Sequence, residues 1–203
     1  MSSGTEGPVW KVLGRSVRGA AHVRNDLPNQ DAIGWFPETG TGPPLLLAVS
    51  DGHGGARYFR SDVGARLAVQ TVVTVVDEFL RNSQGVENLS IAKRWAEERL
   101  PHEIVRHWKE AVADHLTANP IEASEWERLE MAESASRRRQ VALDPVIAYG
   151  ATLLSVLVTE FYILHIQLGD GDIVTVDDSE EATRPPVPRD ERLIGNETTS
   201  LCT

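Results

Sequence analysis

The strongest chemical signal in this chain is an acidic residue placed between an apolar run and a glycine-rich turn. Residues 45–49 are apolar, and Ser50, Asp51, Gly52, His53 and two further glycines follow. A short apolar run ended by turn residues is typical of a buried strand, so Asp51 should lie at a sheet edge. A carboxylate beside an accessible glycine carbonyl offers the hard oxygen ligands that suit Mg²⁺, Mn²⁺ or Ca²⁺. The same residues also fit an ordinary strand-to-helix turn in which Asp51 caps the helix.

A second carboxylate, Asp31, begins a short predicted strand at residues 30–36. If this strand pairs with residues 45–49 as a hairpin through residues 37–44, Asp31 and Asp51 approach each other at one edge. Two carboxylates in a low dielectric repel each other strongly unless a cation lies between them. A metal site is therefore the economical interpretation.

Other polar residues near turns are weaker candidates. Asp170 and Asp172 lie in a Gly-Asp-Gly-Asp stretch, which fits another metal contact or a plain turn between strands, and which lacks the remaining ligands of an EF-hand. His53 fits a metal ligand or a general acid, although a histidine in a polar turn is more often structural. Cys202 has no neighbours that would activate a thiol.

The elements that must position these residues follow from hydrophobic periodicity. It predicts strands at 9–17, 30–36, 45–49, 152–158, 161–168 and 173–176, and helices at 56–81 and 89–116, with Pro101 kinking or splitting the second helix. The valine-rich first helix should be buried on more than one side. The charged segment 122–139 is predicted to be a solvated helix or linker. This order predicts an α+β protein with helices on antiparallel sheets, with residues 1–8 as a flexible tail and 9–203 as the domain.

Charge and cysteine content exclude several classes of partner. The formal net charge is −10, which argues against a nucleic-acid partner and against an anionic membrane surface. No apolar run approaches the roughly 20 residues that a membrane span needs, and the first eight residues lack the pattern of a signal peptide. The single cysteine suits a reducing compartment. We therefore expect a cytoplasmic protein.

Four short motifs, taken in order, resemble those of the metal-dependent Ser/Thr protein phosphatases of the PP2C (PPM) family, most closely its bacterial branch. They are Asn29-Gln30-Asp31-Ala32, Ser50-Asp51-Gly52-His53-Gly54-Gly55, Tyr149-Gly150-Ala151-Thr152-Leu153-Leu154 and Leu168-Gly169-Asp170-Gly171-Asp172. Each motif alone is weakly specific, but four in this order are a strong signal. The resemblance implies a PP2C-like antiparallel β-sandwich flanked by helices.

The resemblance also implies a reaction and the residues that serve it. Two Mn²⁺ or Mg²⁺ ions would hold a water that attacks the phosphorus of phosphoserine or phosphothreonine in a protein, such as the target of a Ser/Thr kinase. Asp51 matches the carboxylate that bridges the metals, and Gly52 matches the residue whose carbonyl contacts a metal. Asp31 matches the second acid of the early acidic pair, so Asp51 and Asp31 are the expected catalytic residues. Asp170 matches an acid associated with a third, weaker metal.

Two departures from the family pattern concern single residues near Asp31. Gln30 stands where many members have a metal-contacting Glu; as a metal ligand it would keep an oxygen but lose a charge, which should weaken metal affinity. Asp26 stands at the spacing where the family has an arginine. Arg24 and His22 lie nearby, and either is a candidate to bind the substrate phosphate.

A third departure concerns the late part of the family pattern. Two aspartates of the family, in an Asp-Gly and an Asp-Asn motif, have no counterpart in residues 1–203. We therefore expect residues 9–203 to correspond to the N-terminal two-thirds of a phosphatase domain that is incomplete at the C-terminus. The alternative is a catalytically inactive, PP2C-like binding or regulatory module. An unrelated metal hydrolase with Asp-Gly turns is disfavoured by the four ordered motifs.

We expect the 203-residue chain by itself to show negligible Mn²⁺-dependent phosphatase activity. Asp31, Asp51 and Asp170 supply too few anionic ligands for a two-metal cluster. A longer version that carries the late aspartates should recover activity, measured as hydrolysis of a phosphopeptide with and without a chelator. Clear turnover by the monomeric 203-residue chain that is lost on chelation would contradict this expectation.

Overall fold

The computed structural model of this chain describes residues 9–81, 87–183 and 199–202. The first elements are β1 (Trp10–Lys11), α1 (Ala20–Arg24), β2 (Asp31–Phe36), β3 (Thr41–Gly42), β4 (Leu45–Asp51) and α2 (Ser61–Leu80). They are followed by α3 (Leu89–Glu98), α4 (Leu100–Ala118), α5 (Ala123–Ala132), α6 (Ala135–Leu143), β5 (Leu153–Val158), β6 (Ile163–Leu168), β7 (Thr175–Val176) and β8 (Ala182–Thr183). This order, with strands on both sides of a helical middle, confirms the predicted α+β class.

The main sheet is antiparallel throughout, with the strand order β2-β4-β5-β6. The β2 and β4 strands form the hairpin predicted through residues 37–44, in a register that pairs Asp31 with Asp51 and Phe36 with Leu46. The β5 strand, more than one hundred residues further along the chain, pairs with β4 on its other side. The described residues also contain two two-stranded pairs, β1 with β3 and β7 with β8. The antiparallel sheets expected from the sequence are therefore present.

Helix α2 lies between the sheet and α4, as its valine content predicts. Its side chains Val72 and Val76 are fully buried, and the helix contacts β2, β4 and α4. The approach to β2 is close, because a Cβ on Gly34 would lie 2.5 Å from a methyl of Val69. On the other side, the indole of Trp108 in α4 donates to the carbonyl of Gly64 at 3.0 Å. The core is thus built around α2, with one face of the sheet below it.

Several predicted boundaries are wrong. The first strand covers only Trp10–Lys11 and not residues 9–17, and α1 lies where the sequence predicts neither a helix nor a strand. The predicted helix 56–81 begins with a separate 3₁₀ turn at Ala56–Tyr58. The split predicted near Pro101 is confirmed, because the helix at 89–116 divides at Arg99, and Pro101 lies in the first turn of α4, where its missing N–H is not needed. The predicted tail at 1–8 lies outside the described residues.

The charged segment 122–139 forms two packed helices, α5 and α6, so the linker interpretation is wrong. A reciprocal capping box between Glu122 and Glu125 begins α5, and Leu129 and Val141 are buried in the core. The segment is held by the side chain of Arg60, whose guanidinium forms a paired contact with Glu125. None of the described helices is both long and apolar enough to cross a membrane.

The Gly64→Ala variant should be destabilised by about 1–3 kcal/mol or more, as overpacking of a tight contact usually is. The added Cβ would lie 1.8 Å from the carbonyl oxygen of Tyr149, so α2 would have to move away from that segment. Gly54→Ala is the matched control, since no atom lies within 4 Å of its added Cβ. The measurement is urea unfolding of both variants, and equal stabilities would contradict the packing shown here.

Candidate active site

The two carboxylates singled out from the sequence lie side by side at one end of the main sheet. Asp31 is the first residue of β2 and Asp51 is the last of β4, and the two are direct partners in the register. Partners in an antiparallel pair have Cβ atoms about 4.5–5.5 Å apart on the same face. Both side chains are exposed on the face of the sheet away from α2. The predicted convergence of Asp31 and Asp51 is therefore present.

These carboxylates line a cleft of about 550 Å³. Asp170 and Asp172 also line it, so the Gly-Asp-Gly-Asp stretch after β6 reaches the same place as the β2–β4 hairpin. The lining also includes the apolar side chains of Ile33, Val49 and Leu154. Four carboxylates at one cleft make it strongly acidic.

The neighbouring acids affect the ionisation of Asp51. Partial burial in the cleft raises the pKa of its carboxyl, and the neighbouring Asp31 and Asp170 raise it further, while His22 opposes them. The carboxylates of Asp51 and Asp31 thus repel each other, as the sequence predicted for an acidic pair without a cation. Asp170 lines the same cleft as Asp51, and His22 is close enough to affect the charge of Asp51.

Backbone contacts with the Tyr149–Thr152 segment hold Asp51 in place. The Asp51 N–H donates to Thr152 Oγ1 at 3.0 Å, and the Thr152 N–H donates to the Asp51 carbonyl at 2.8 Å. Two residues further on, the His53 N–H donates to the carbonyl of Gly150 at 3.0 Å. The motif at Tyr149–Thr152 therefore supports the turn of the motif that contains Asp51.

Gly52 occupies a position where no other residue fits. Its N–H donates to the carbonyl of Gln30 at 3.1 Å. An added Cβ would lie 2.6 Å from both the Gln30 and the Ser61 carbonyl oxygens. The turn after β4 is thus closed tightly between β2 and the start of α2.

Gln30, the expected metal ligand, places its side chain on the helix side of the sheet. It is buried, and its amide nitrogen donates to Ser61 Oγ at 2.6 Å and to the His53 carbonyl at 3.2 Å. The chain alternates faces along an extended segment, so the side chains of Gln30 and Asp31 leave in opposite directions. The Gln30 side chain therefore contacts the turn that follows Asp51.

The basic residues near the cleft come from different parts of the chain. His22 lies in α1 near Asp51, whereas Arg24 ends the same helix and is exposed. Arg15, which carries no motif signal in the sequence, lines the cleft itself. It comes from the irregular segment between β1 and α1, so periodicity and motif spacing could not find it.

A larger cleft of about 770 Å³ lies on the helix side, away from the acidic pair. Its main charges are already matched: Arg60 and Glu125 form a buried ion pair at 2.7 Å, and Arg60 also donates to the Tyr149 hydroxyl at 2.8 Å. The hydrogen bonds between the two side chains raise the pKa of Arg60 and lower that of Glu125. This arrangement connects helices and carries no sign of chemistry.

The residues at the acidic cleft fit a hard divalent cation in type. Asp31, Asp51 and Asp170 offer carboxylate oxygens, and Gly52 adds a backbone carbonyl, which together are the oxygen donors that Mn²⁺ and Mg²⁺ take. Among the described residues, no group of three or more His, Cys, Asp or Glu side chains is already arranged around one point. The donor set thus fits in chemistry, with Asp31 and Asp51 as its organised part.

The metal-free Asp51→Asn variant should be more stable than the parent at about pH 7 and equally stable at about pH 3. The folded state raises the pKa of Asp51, so ionisation of its carboxyl opposes folding above that pKa and has no effect where both states are protonated. Thermal unfolding in a chelator at both pH values measures this. The exposed Asp114→Asn in α4 is the control, and an Asp51→Asn gain that persists at about pH 3 would contradict the electrostatic origin.

Comparison with known proteins agrees with the family that the four motifs resemble. The family model for protein phosphatase 2C matches residues 18–203. No curated protein and no solved structure matches the chain at the threshold applied. The matched span includes both strands of the acidic pair, the Tyr149–Thr152 segment and the Gly-Asp-Gly-Asp stretch. The chain therefore belongs to the protein phosphatase 2C family.

Proposed function

We propose that this chain carries the early half of the catalytic site of a Mn²⁺- or Mg²⁺-dependent protein serine/threonine phosphatase. The observation that carries the proposal is the register pairing of Asp31 with Asp51 at the acidic cleft. The pair lies within the span that the protein phosphatase 2C family model matches.

The proposed roles follow from where each group lies. Asp51 and Asp31 would hold the metals, with the Gly52 carbonyl and Asp170 as further ligands. When bound, such ions activate a water as the nucleophile and neutralise charge on the phosphate. Thr152 keeps the backbone of Asp51 in place through three hydrogen bonds.

The substrate would enter a cleft that is lined by both acidic and apolar side chains. A phosphate arriving at four carboxylates needs positive charge beside it, and the protein offers His22 near Asp51 and Arg15 in the cleft lining. Arg24, at the end of the same helix as His22, is a further candidate. We propose a phosphorylated protein, the target of a Ser/Thr kinase, as substrate, and the reducing cytoplasm as the setting, which a single cysteine suits.

A binding or regulatory module of the same family is the second candidate. It is favoured by the absence, among the described residues, of three metal-binding side chains gathered around one point. Such a module would recognise a partner through the same cleft without hydrolysing a phosphoester. Binding of Mn²⁺ distinguishes the phosphatase from the module. A phosphatase needs the ion to offset the repulsion between Asp31 and Asp51, whereas a module without a metal site should bind no Mn²⁺ there.

In any form of the protein that hydrolyses a phosphopeptide with Mn²⁺, Asp51→Asn should lower kcat by about 100-fold or more, since even indirect partners of a metal site cost about 10–100-fold. In the 203-residue chain, the same variant should lose the Mn²⁺ binding that titration calorimetry detects. The exposed Asp114→Asn serves as the matched control. Near-parent turnover or unchanged Mn²⁺ binding in Asp51→Asn would remove Asp51 from the metal site.

A further inference from the structure

A small buried hydrogen-bond cluster lies directly behind the acidic pair. It consists of the Gln30 amide, the Ser61 hydroxyl and the backbone carbonyl of His53. The Gln30 amide nitrogen donates to Ser61 Oγ at 2.6 Å and to the His53 carbonyl at 3.2 Å. Ser61 Oγ donates to the same carbonyl at 2.9 Å. Both side chains are buried, with exposures of 9% for Gln30 and 0% for Ser61.

The orientation of the Gln30 amide follows from its partner. A backbone carbonyl only accepts hydrogen bonds, so the atom of Gln30 that faces His53 must be the NH₂ group. The Ser61 hydroxyl uses its one proton toward the His53 carbonyl and accepts from Gln30. Gln30 therefore only donates in this cluster, the His53 carbonyl only accepts, and Ser61 does both.

The same loop is also held through its backbone. The Gly52 N–H donates to the Gln30 carbonyl at 3.1 Å, and the absence of a Cβ on Gly52 lets the Gln30 and Ser61 carbonyls approach it. Gln30 therefore contacts both residues that follow Asp51, one through its backbone and one through its side chain. Ser61 is the first residue of α2, so the cluster joins the strand β2, the turn and the helix.

We propose that Gln30 is a positioning residue, which acts as a hydrogen-bond donor to fix the turn after Asp51 against the start of α2, rather than as a metal ligand. The expected effect of Gln30 on Mn²⁺ binding rests on the proposed function, whereas its expected effect on the stability of the metal-free turn does not.

This role predicts the opposite consequence of Gln30→Glu from that expected for a metal ligand. A ligand would gain charge and bind Mn²⁺ more tightly. A carboxylate in the cluster cannot donate, so it would face the His53 carbonyl, and the single proton of Ser61 could satisfy only one of the two acceptors. A buried acceptor left without a donor is costly. The turn would loosen, and with it the placement of Asp51 and Gly52.

The test compares Gln30→Glu and the uncharged Gln30→Met with Gln70→Glu, which makes the same charge change at an exposed position of α2. Thermal unfolding of the full chain in a chelator is the first readout, and Mn²⁺ titration calorimetry is the second. Both Gln30 variants should lower the melting temperature by roughly 3–8 °C, as the loss of one or two buried hydrogen bonds does. Gln70→Glu should leave it unchanged, and Gln30→Glu should bind Mn²⁺ more weakly than the parent.

A double-mutant cycle between Gln30→Met and Ser61→Ala identifies the cluster as the cause. Because the two side chains share one set of hydrogen bonds, the double variant should lose clearly less than the sum of the two single losses. Additive losses, an unchanged melting temperature of both Gln30 variants in chelator, or tighter Mn²⁺ binding by Gln30→Glu would each overturn the proposal. If the parent itself binds no Mn²⁺, the proposed function fails, while the metal-free comparison still decides the role of Gln30 in the turn.

Discussion

The pairing of β2 with β4 is the constraint on which the candidate site depends. Because side chains in a strand alternate between faces, this register alone decides that Asp31 and Asp51 leave the sheet on the same side. A shift of one residue would send one carboxylate toward α2, where the core is apolar. The burial of Leu46 and Ala48 on the helix side thus fixes the position of the acids on the other side.

Hydrogen bonds hold the turn that follows β4, although the carboxylates of Asp31 and Asp51 repel each other at its start. Asp51 has a raised pKa because burial and neighbouring acids oppose its charge, so this end of the sheet is electrostatically unfavourable without a cation. It is held from two sides: the Tyr149–Thr152 segment bonds to Asp51 and His53, and Gln30 and Ser61 bond to the His53 carbonyl. A rigid support of this kind is what a site needs if it is to keep like charges together until a metal binds.

The helical middle of the chain contributes to the same support from a distance. Arg60, just before α2, donates from its backbone to Ala148 at 2.9 Å and from its guanidinium to Glu125 and to the Tyr149 hydroxyl. Removing one partner of such a buried ion pair leaves an uncompensated charge, which is why these pairs are costly to break. Through Arg60, the α5 helix is connected to the segment that carries Tyr149 to Thr152, and so to Asp51.

The sequence by itself determined the chemical character of this protein and the parts of it that depend on local pattern. The apolar run of β4 and its abrupt end at Asp51 predicted a strand with a carboxylate at its edge, and the short loop through 37–44 predicted its partner, since a hairpin has few ways to close. The four ordered motifs predicted the family. The valine-rich helix predicted its own burial, because an apolar surface on two sides must be covered on two sides.

Only the tertiary structure decided which groups meet from distant parts of the chain. The role of Gln30 depends on Ser61 and on the His53 carbonyl. The sequence pattern does not predict which groups a side-chain amide will hydrogen-bond. Arg15 reaches the acidic cleft from an irregular segment in which the sequence predicts a strand. The packing of 122–139 as two helices depends on Glu125 meeting Arg60, a contact across 65 positions that compensates for burying charge. Local preferences act over a few residues, whereas these contacts are fixed by the way the sheet and α2 bring separate segments together.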